Sequence, residues 1–581
     1  MFNLKFFFMV KSIFKIPEAH ANLQRNAFDV GNTELFTSCL GQLLPVCFRE
    51  VNPNEHVEIT PELYSRTMPL NTAAFVSIKQ NLEFFFVPYR LLWSRAQQFF
   101  SHTDYAVSTS ISGQSPSLNP VVEMRQLANF IGSESRKSTG YYFDDMGYQM
   151  RFGAARLLDF LGYGDFSPLL SSTAETSSST VHPNIFKILA YQKVYQDFYR
   201  NEVLEAQDIQ TYNVDLLYEQ MIAAGRSSLL NDSNAYTYLP KWLCIRYRNL
   251  RNDYFTSSRH HFTGASWMSA PVDPIVLPQI MGSSSYGLNG EPTSGFQTSS
   301  GTSYETSSAQ GGISMHTAYS GSTRSAVGFT IANLRSAYAL DKMYDSMSRA
   351  KDGCYAHQMK SRFGVEPNLD DYHCRFIGGV EAPVQIGEVI GTSENNLGDI
   401  GGKGTSYTNG STLKFDVKEH GVILGIQSFI PSNDYEANGL DRSNAKTSFS
   451  DYLQPEFSDL GYQPIYTSEL DSPVLSGSDS SSVVYGYNTR YEEYKTCYNR
   501  VHGNFRKGHS LSAWCCPIKP VDVSRLNSIS WQALKINPST LDTIMSVQYD
   551  GSDDTDQFVC KNSFNIQIVR PISRYGSPYM S

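Results

Sequence analysis

Three apolar segments with the pattern of β-strands lie far apart along this chain of 581 residues. In Ala74–Val87, apolar residues of one face recur with a period of two: Val76, Ile78, Leu82, Phe84 and Phe86. Val422–Ile430 is nearly all apolar, which is typical of a strand covered on both faces. Near the C-terminus, Phe564, Ile566 and Ile568 alternate with polar residues, and Pro571 would end that strand. Pairing between such distant strands predicts an antiparallel sandwich and not a series of local hairpins.

Two further segments have the spacing of helices. Asn184–Glu205 has a stripe of apolar side chains at helical spacing, and Asn184 is placed to cap its start. The second helix is predicted from about Ile331 to Lys351, between Thr330 as a cap and Gly353 as the end. Both segments lie between strand segments. The sequence therefore predicts an antiparallel β core with helical insertions, not an alternating β–α fold.

The composition fits a folded subunit that buries surface against other proteins. Apolar residues make up 41% of the chain and aromatic residues 13%, with 36 Tyr and 34 Phe, while charged residues reach only 18%. The formal net charge of −9 argues against a protein whose whole surface binds nucleic acid. The nine cysteines include no Cys-x-x-Cys pair, which favours free thiols in a reducing compartment. An aromatic-rich β monomer would have the same composition.

No segment predicts membrane insertion or a known catalytic site. The apolar N-terminus, Met1–Ile16, is interrupted by lysines and has no apolar run long enough for a membrane span or a signal peptide. Gly398–Gly404 superficially resembles a phosphate-binding loop, but its Lys is followed by Gly, so we predict a flexible loop there. Neither a Gly-x-Ser-x-Gly nor a His-Glu-x-x-His motif is present. The sequence therefore predicts no enzyme and no cofactor.

An acidic turn near the C-terminus is a candidate cation site. Its carboxylates belong to Asp550, Asp553, Asp554 and Asp556. Carboxylate oxygens are preferred ligands of Ca²⁺, although the spacing differs from that of an EF-hand loop. The alternative is a plain acidic turn without a bound ion.

The best candidate for nucleic-acid contact is a basic, aromatic run in the middle of the chain. It contains Trp242, Arg246, Arg248 and Arg251. Arginines bind phosphates and aromatic rings stack on unpaired bases, so the run has the chemistry of a single-strand contact without sequence readout. The alternative is that these arginines form ion pairs at a subunit interface.

The longest low-complexity stretch, residues 283–325, is too polar to form a hydrophobic core of its own. Of its 43 residues, 26 are Ser, Thr or Gly. Four aromatic residues are spaced through it: Tyr286, Phe296, Tyr304 and Tyr319. We predict a long loop with aromatic contact points.

A series of sequence blocks spans nearly the whole chain. The longest, Thr330–Gly379, passes from a helix-period segment through a basic stretch and Phe-Gly-Val-x-Pro to a glycine pair. The others, in order from the N-terminus, include Arg25–Asp29, Arg66–Phe75, Phe84–Trp93, Tyr191–Asn201, Asp253–Ser257, Gly503–Arg506 and Arg570–Pro578. In content and order these blocks resemble the major capsid proteins of microviruses, small bacteriophages with single-stranded DNA. The gokushovirus-like branch fits best, because it has a long insertion after the Asp253–Ser257 block.

The resemblance implies a mainly β fold, an eight-stranded antiparallel jelly roll with long loop and helical insertions. Residues 1–581 would form a single capsid domain, in which residues 1–40 are an N-terminal arm. The insertion at 283–325 would form a surface protrusion where three subunits meet. Its four aromatic residues would then contact a host-cell receptor or, alternatively, pack the protrusion itself.

The resemblance also implies a function and partners. About sixty copies would assemble into a T=1 icosahedral shell around circular single-stranded DNA. A small basic DNA-packaging protein, scaffolding and pilot proteins, and a host cell-surface receptor would be partners, with no membrane involved. The protein would belong to the virion capsid and be assembled in the host bacterial cytoplasm. The alternatives are a β-rich surface adhesin or carbohydrate-binding protein and, with less support, a hydrolase using paired carboxylates.

Overall fold

The structure is a computed structural model of the chain. It describes residues 25–101, 119–132, 143–171, 181–202, 204–231, 234–258, 274–275, 326–327, 338, 372–390, 400–436, 438–458, 461–470, 484–506, 508–517 and 534–572. The predicted helix at Ile331–Lys351 and the stretch 283–325 lie almost wholly outside these residues. The chain divides into two compact units: Met1–Ser258, Asn368–Pro455 and Pro464–Ser581 form the first, and Arg259–Pro367 with Glu456–Gln463 forms the second.

The described residues contain both strands and helices. The strands are β1 Asn26–Asp29, β2 Asn32–Ser38, β3 Leu44–Val51, β4 His56–Thr67, β5 Ile78–Pro88, β6 Pro274–Ile275, β7 Ala326–Val327, β8 Arg375–Ile390, β9 Ile400–Asn409, β10 Leu413–Asp416, β11 Gly421–Pro431, β12 Asp434–Glu436, β13 Tyr462–Tyr466, β14 Val484–Thr489, β15 Asn499–Val501 and β16 Phe558–Arg570. The helices are α1 Ala96–Ser101, α2 Met124–Gly132, α3 Met150–Phe160, α4 Pro168–Ser171, α5 Phe186–Val194, α6 Asp215–Ala223 and α7 Ala235–Trp242.

A ten-stranded antiparallel sheet forms the centre of the first unit. Its strand order is β1-β16-β4-β9-β8-β5-β11-β3, with β2 also on β16 and β10 also on β4. β1 and β2 pair with successive parts of the same edge of β16, and β9 and β10 pair with successive parts of the same edge of β4. The ten strands therefore occupy eight positions across the sheet. The long strand β8 pairs with β5 through its first half and with β9 through its second half, so it joins two layers. The predicted mainly β antiparallel jelly roll is confirmed.

The two layers pack face to face through the alternating residues of their strands. Ile566 and Ile568 of β16 share a buried cluster with Leu82 and Phe86 of β5. The rings of Phe84 and Phe564 meet edge to face, with centroids 6.2 Å apart. The alternation predicted for the C-terminal strand is therefore confirmed, because Phe564, Ile566 and Ile568 are buried in this core while Asn565 and Gln567 between them are exposed.

The strand β11 is buried along its whole length, as its continuous apolar sequence predicts. One face, including Ile423, belongs to the core between the layers. The other face, including Val422 and Leu424, packs with the helices in a second cluster that also contains Leu189 and Trp242. The helical insertions therefore cover the outer face of one layer, which makes β11 a central strand with no solvent-exposed side.

Several predicted boundaries need correction. The strand predicted from Ala74 begins only at Ile78. The helix predicted over Asn184–Glu205 is regular only over Phe186–Val194, its N-cap is Ile185, and a π-helical turn follows at Tyr195–Tyr199. The first residues of the predicted N-terminal arm lie outside the described part, whereas Asn26–Ser38 pairs with β16 at the sheet edge.

The flexible loop predicted at Gly398–Gly404 is wrong, because Ile400–Asn409 is a sheet strand. The glycines permit close packing there. A Cβ atom on Gly402 would lie 2.4 Å from the carbonyl oxygen of Thr72, and one on Gly404 would lie 2.5 Å from the Thr67 side chain. A glycine within a strand often marks such a close approach, so a run of glycines does not by itself indicate a flexible loop.

Candidate functional site

The basic, aromatic run enters the interior of the subunit at the end of α7. Trp242 is 1% exposed. Its indole Nε1 donates a hydrogen bond to the carbonyl oxygen of Gln210 at 2.9 Å. Its ring lies beside that of Tyr238, with centroids 5.8 Å apart. In this position the indole has no free face for a nucleic-acid base, and its role is in packing.

Arg246 lies in a buried polar network. Its Nη1 is 3.1 Å from Oδ1 of Asp145, and its Nε donates to Oε1 of Gln192 at 2.9 Å. The guanidinium lies over the ring of Tyr195, 4.6 Å from its centroid. The ammonium of Lys535 approaches Oδ2 of Asp145 to 3.3 Å from the other side. Burial lowers the pKa of Lys535, while the carboxylate of Asp145 opposes that shift.

The last two arginines of the run connect it to the sheet. Arg248 donates to the carboxylate of Glu83 on β5 through both terminal nitrogens, at 2.8 and 3.1 Å. Arg251 lies 3.2 Å from Glu381 on β8, and its side chain is 48% exposed. These ion pairs form within one subunit, so they are not the subunit-interface pairs that the sequence suggested as the alternative to DNA contact.

The four residues that we predicted to contact DNA differ in their exposure to solvent. Trp242 and Arg246 are buried with partners in the same chain, which leaves little of either side chain accessible to DNA. Arg248 is largely covered, since its side chain is 21% exposed. Arg251 is the member of the run with the greatest access to solvent, and DNA contact stays a prediction for that residue.

The acidic turn before β16 faces an arginine. The guanidinium of Arg156 on α3 donates to Oδ1 of Asp553 at 2.6 Å and to Oδ2 of Asp556 at 2.7 Å. The carboxylate of Asp550 stays within the turn, where it accepts from the backbone N–H of Ser552 at 2.9 Å. The pKa of Asp550 is lowered, and the largest cause is a hydrogen bond from the hydroxyl of Ser552. The hydrogen bond from the backbone N–H of Ser552 lowers it further.

The fourth carboxylate of the turn, that of Asp554, is exposed. A guanidinium thus supplies the positive charge that a Ca²⁺ ion would bring. In the part of the chain that the structure describes, no group of three or more acidic, His or Cys side chains is placed to hold a metal ion.

Large apolar side chains are exposed in several places on the first unit. Phe198 and Phe376, which are 42% and 54% exposed, flank the buried ring of Phe85. Phe75 is 70% exposed and packs on Trp514. A third group comprises Phe449, Tyr452, Leu453 and Tyr494. The high aromatic content predicted contacts with other proteins, but it could not show which aromatic residues are exposed, because each group combines residues distant in sequence.

The predicted receptor-contact residues Tyr286, Phe296, Tyr304 and Tyr319 lie outside the described residues. Among the residues that are described, no helix is both long and apolar enough to cross a membrane.

The fold and the exposed surfaces define a structural subunit of the capsid jelly-roll class. Residues 15–123 and 170–580 match the model of the family described as capsid protein (F protein), and the chain belongs to that family. It is 23% identical to capsid protein VP1 of Chlamydia phage 1 over 628 aligned residues, which cover 96% of each chain. It is 26% identical to capsid protein VP1 of Bdellovibrio phage phiMH2K over 268 residues, which cover 44% of this chain and 47% of that one.

Family membership confirms the resemblance to microvirus capsid proteins and makes this chain a structural component of a phage virion. Because the relatives are shell proteins and not enzymes, the prediction of no enzymatic role is confirmed, and the adhesin interpretation is set aside. The family match omits residues 124–169, which contain α2 and α3. Arg156, the partner of the acidic turn, lies in that segment.

Proposed function

We propose that this chain assembles into a T=1 icosahedral shell of about sixty copies that encloses circular single-stranded DNA. The observation that supports the proposal most is the match to the capsid family over residues 15–123 and 170–580. The sheet and its helical cover supply a rigid body, and the exposed apolar groups supply surfaces that neighbouring copies would cover. A contact between two different surface patches forms a closed ring when repeating the rotation from one copy to the next returns to the first copy. A closed shell combines several such contacts.

With a net charge of −9, enclosure of DNA would call for localised basic patches on the inner surface or for a separate basic partner. We assign this role to a small basic packaging protein, and we expect scaffolding and pilot proteins to join during assembly in the host bacterial cytoplasm. Host attachment would use the insertion at 283–325, with Tyr286, Phe296, Tyr304 and Tyr319 as contacts to a cell-surface receptor.

Within the subunit itself, Arg251 is our candidate for contact with the DNA backbone, because its side chain is 48% exposed. The variant Arg251→Gln should form particles in normal yield but retain less DNA, measured as the ratio of absorbance at the nucleic-acid and protein maxima. Lys414→Gln is the matched control, since Lys414 is 63% exposed on the sheet. An unchanged DNA content in Arg251→Gln particles would exclude this role.

The shell itself is tested by sedimentation and negative-stain electron microscopy of the expressed chain. Uniform hollow particles of about sixty subunits are the expected result. Small rings, such as pentamers, would indicate that a scaffold is required and would be followed by co-expression with one. A monomer under all salt conditions, with and without the scaffold, would overturn the proposal.

A further inference from the structure

A lysine and an aspartate meet in the interior of the first unit. The side chains of Lys535 and Asp145 are 0% and 5% exposed, and Nζ of Lys535 lies 3.3 Å from Oδ2 of Asp145. That oxygen accepts no well-aligned hydrogen bond from the residues that the structure describes. Two opposite charges that are buried together lose their hydration, so such a pair gains little by remaining charged.

The amine of Lys535 is held in place by two acceptors. It donates to the hydroxyl of Tyr195 at 2.6 Å and to the carbonyl oxygen of Tyr247 at 3.1 Å. Burial lowers the pKa of Lys535, which favours the neutral amine over the ammonium. A neutral amine that donates two hydrogen bonds keeps its lone pair for a third direction, and a desolvated lysine of this kind is a nucleophile.

A proton acceptor lies on the other side of Tyr195. The hydroxyl of Tyr195 donates to Oε2 of Glu205 at 2.7 Å while it accepts from Lys535. Glu205 is itself buried, with 8% of its surface exposed. A proton that leaves Nζ therefore has a route through one hydroxyl to a carboxylate without entering the solvent.

A fixed positive charge faces the second oxygen of Asp145. Nη1 of Arg246 is 3.1 Å from Oδ1, and Nε of the same guanidinium donates to Gln192 at 2.9 Å. A guanidinium that is held in place in this way stabilises negative charge that develops on a carbonyl oxygen. A nucleophile, a proton route and an oxyanion partner thus surround one carboxyl group.

We propose that Lys535 and Asp145 form an intramolecular isopeptide bond, an amide between Nζ of the lysine and Cγ of the aspartate. The separation of 3.3 Å between Nζ and Oδ2 is that of reacting groups poised for attack. The bond would join the segment that the family match omits, residues 124–169, to the matched part of the chain. The inference goes beyond the proposed shell and does not depend on it.

The reaction is a condensation that releases one water molecule. One proton of the Lys535 ammonium passes to Oδ2 of Asp145, which leaves a neutral amine and a neutral carboxyl group. The lone pair of Nζ forms a bond to Cγ, and the electrons of the C=O double bond move onto Oδ1. The surplus proton on Nζ then passes through the hydroxyl to the buried carboxylate beyond it. When the Cγ–Oδ2 bond breaks, the C=O bond re-forms at Oδ1, and the same route returns this proton to the departing oxygen, which leaves as water.

Burial favours the product as well as the reaction. The two charges of the pair cancel in a neutral amide, which removes the cost of keeping both ions away from water. The reverse reaction needs a water molecule in a site where both side chains are almost fully covered. The reaction uses no oxidant and no second substrate.

The intact mass of the purified, reduced chain in denaturing solvent tests the proposal. The linked chain should be about 18 Da lighter than the 65.1 kDa of the sequence, since condensation releases one water. After proteolysis, a peptide that contains Asp145 should be found joined to one that contains Lys535, and trypsin should not cleave after residue 535. A chain of full sequence mass with both peptides separate would show an ion pair only and would overturn the proposal.

The variant Lys535→Arg is the first control. It keeps the positive charge, but a guanidinium does not attack the carboxyl group, so the chain should have the full mass of its own sequence. Loss of water elsewhere, for example at the Asp550–Gly551 bond, would lower the mass of both chains equally and would give no joined peptides. A mass loss that persists in Lys535→Arg would therefore overturn the assignment.

The chain also contains an internal control. Lys193 and Asp197 form a buried pair, 4% and 1% exposed, at 2.8 Å. Both oxygens of Asp197 accept hydrogen bonds, from Lys193 and from the backbone N–H of Cys374. We expect this pair to stay unlinked and trypsin to cleave after residue 193. Equal linkage at the two lysines would show that burial alone is sufficient and would overturn the arrangement of groups that we propose.

The proton route is tested by Glu205→Gln. Glutamine still accepts a hydrogen bond from Tyr195 but takes up no proton, so the linked fraction should grow at least about tenfold more slowly after synthesis. Lys535→Arg and Glu205→Gln should both give folded chains with a cooperative urea transition. Linkage of Glu205→Gln at the rate of the unaltered chain would overturn the role of Glu205.

Discussion

The ion pair between Arg156 and Asp556 joins the segment that the family match omits to the start of the last sheet strand. The side chains are 3% and 2% exposed, and Nη2 lies 2.7 Å from Oδ2. Removing one partner of a buried pair leaves the other charge buried without compensation, which costs about 3–5 kcal/mol. Asp553, the second carboxylate, is 56% exposed and adds little to this figure. We therefore expect Arg156→Met to lower the free energy of unfolding by about 3–5 kcal/mol near pH 7.5.

The loss should depend on pH with a defined sign. Burial raises the pKa of Asp556, and the charge of Arg156 opposes that shift. Without the guanidinium the pKa of Asp556 rises further, so the folded variant takes up a proton more readily than the unfolded chain. An acid whose folded pKa is raised costs stability above that pKa, and the cost decreases as the pH falls toward the unfolded value. The deficit of Arg156→Met should thus be smaller near pH 5 than near pH 7.5.

Urea denaturation of the purified subunit at both pH values measures this effect. The double variant Arg156→Met/Asp556→Leu is the matched control, because replacing a buried ion pair by apolar residues of similar volume is often neutral. It should recover most of the loss. A deficit below about 1 kcal/mol, or the same deficit at both pH values and in the double variant, would refute this account of the pair.

Three further predictions follow from other parts of the structure. Leu424→Ala removes a fully buried side chain from β11, so it should cost about 2–5 kcal/mol in urea denaturation, whereas the exposed Leu216→Ala should cost less than about 1 kcal/mol. The hydrogen bond to Asp416 raises the pKa of His56, so His56 stabilises the fold below about pH 6.5 and this contribution is lost as the pH rises through the raised pKa. His56→Gln should therefore lower the urea midpoint near pH 5.5 and leave it unchanged near pH 8.5, and an equal effect at both would contradict the assignment. Shortening 283–325 should leave particle formation intact and impair adsorption to the host, a role excluded if the particles adsorb normally or do not form.

The strands that form the core were predictable because the spacing of their apolar residues indicates which of their faces are buried. Phe564, Ile566 and Ile568 alternate on a strand with one covered face, and Val422–Ile430 is continuous because both of its faces are covered. The helix at Phe186–Val194 was predicted too long, since an apolar stripe does not distinguish an α-helical from a π-helical turn. The strand at Ile400–Asn409 was missed because glycines that serve close packing resemble those of a loop.

The partners of the candidate site residues were harder to predict from the sequence than the strands of the core. Whether an arginine faces DNA or a carboxylate depends on residues far away in the chain, such as Asp145 for Arg246 and Glu83 for Arg248. The acidic turn was recognised, but its partner Arg156 lies about four hundred positions earlier, and no spacing rule connects them. The exposed rings of Tyr452 and Tyr494 belong to two chain segments that only the fold brings together, where Lys446 contacts both rings.

The mass of the assembled particle tests the central claim most directly. Charge-detection mass spectrometry of purified DNA-free particles should give about 3.9 MDa, the mass of about sixty chains of 65.1 kDa. A particle of about three times that mass, or a chain that remains at 65.1 kDa under assembly conditions with its scaffold, would contradict the T=1 shell.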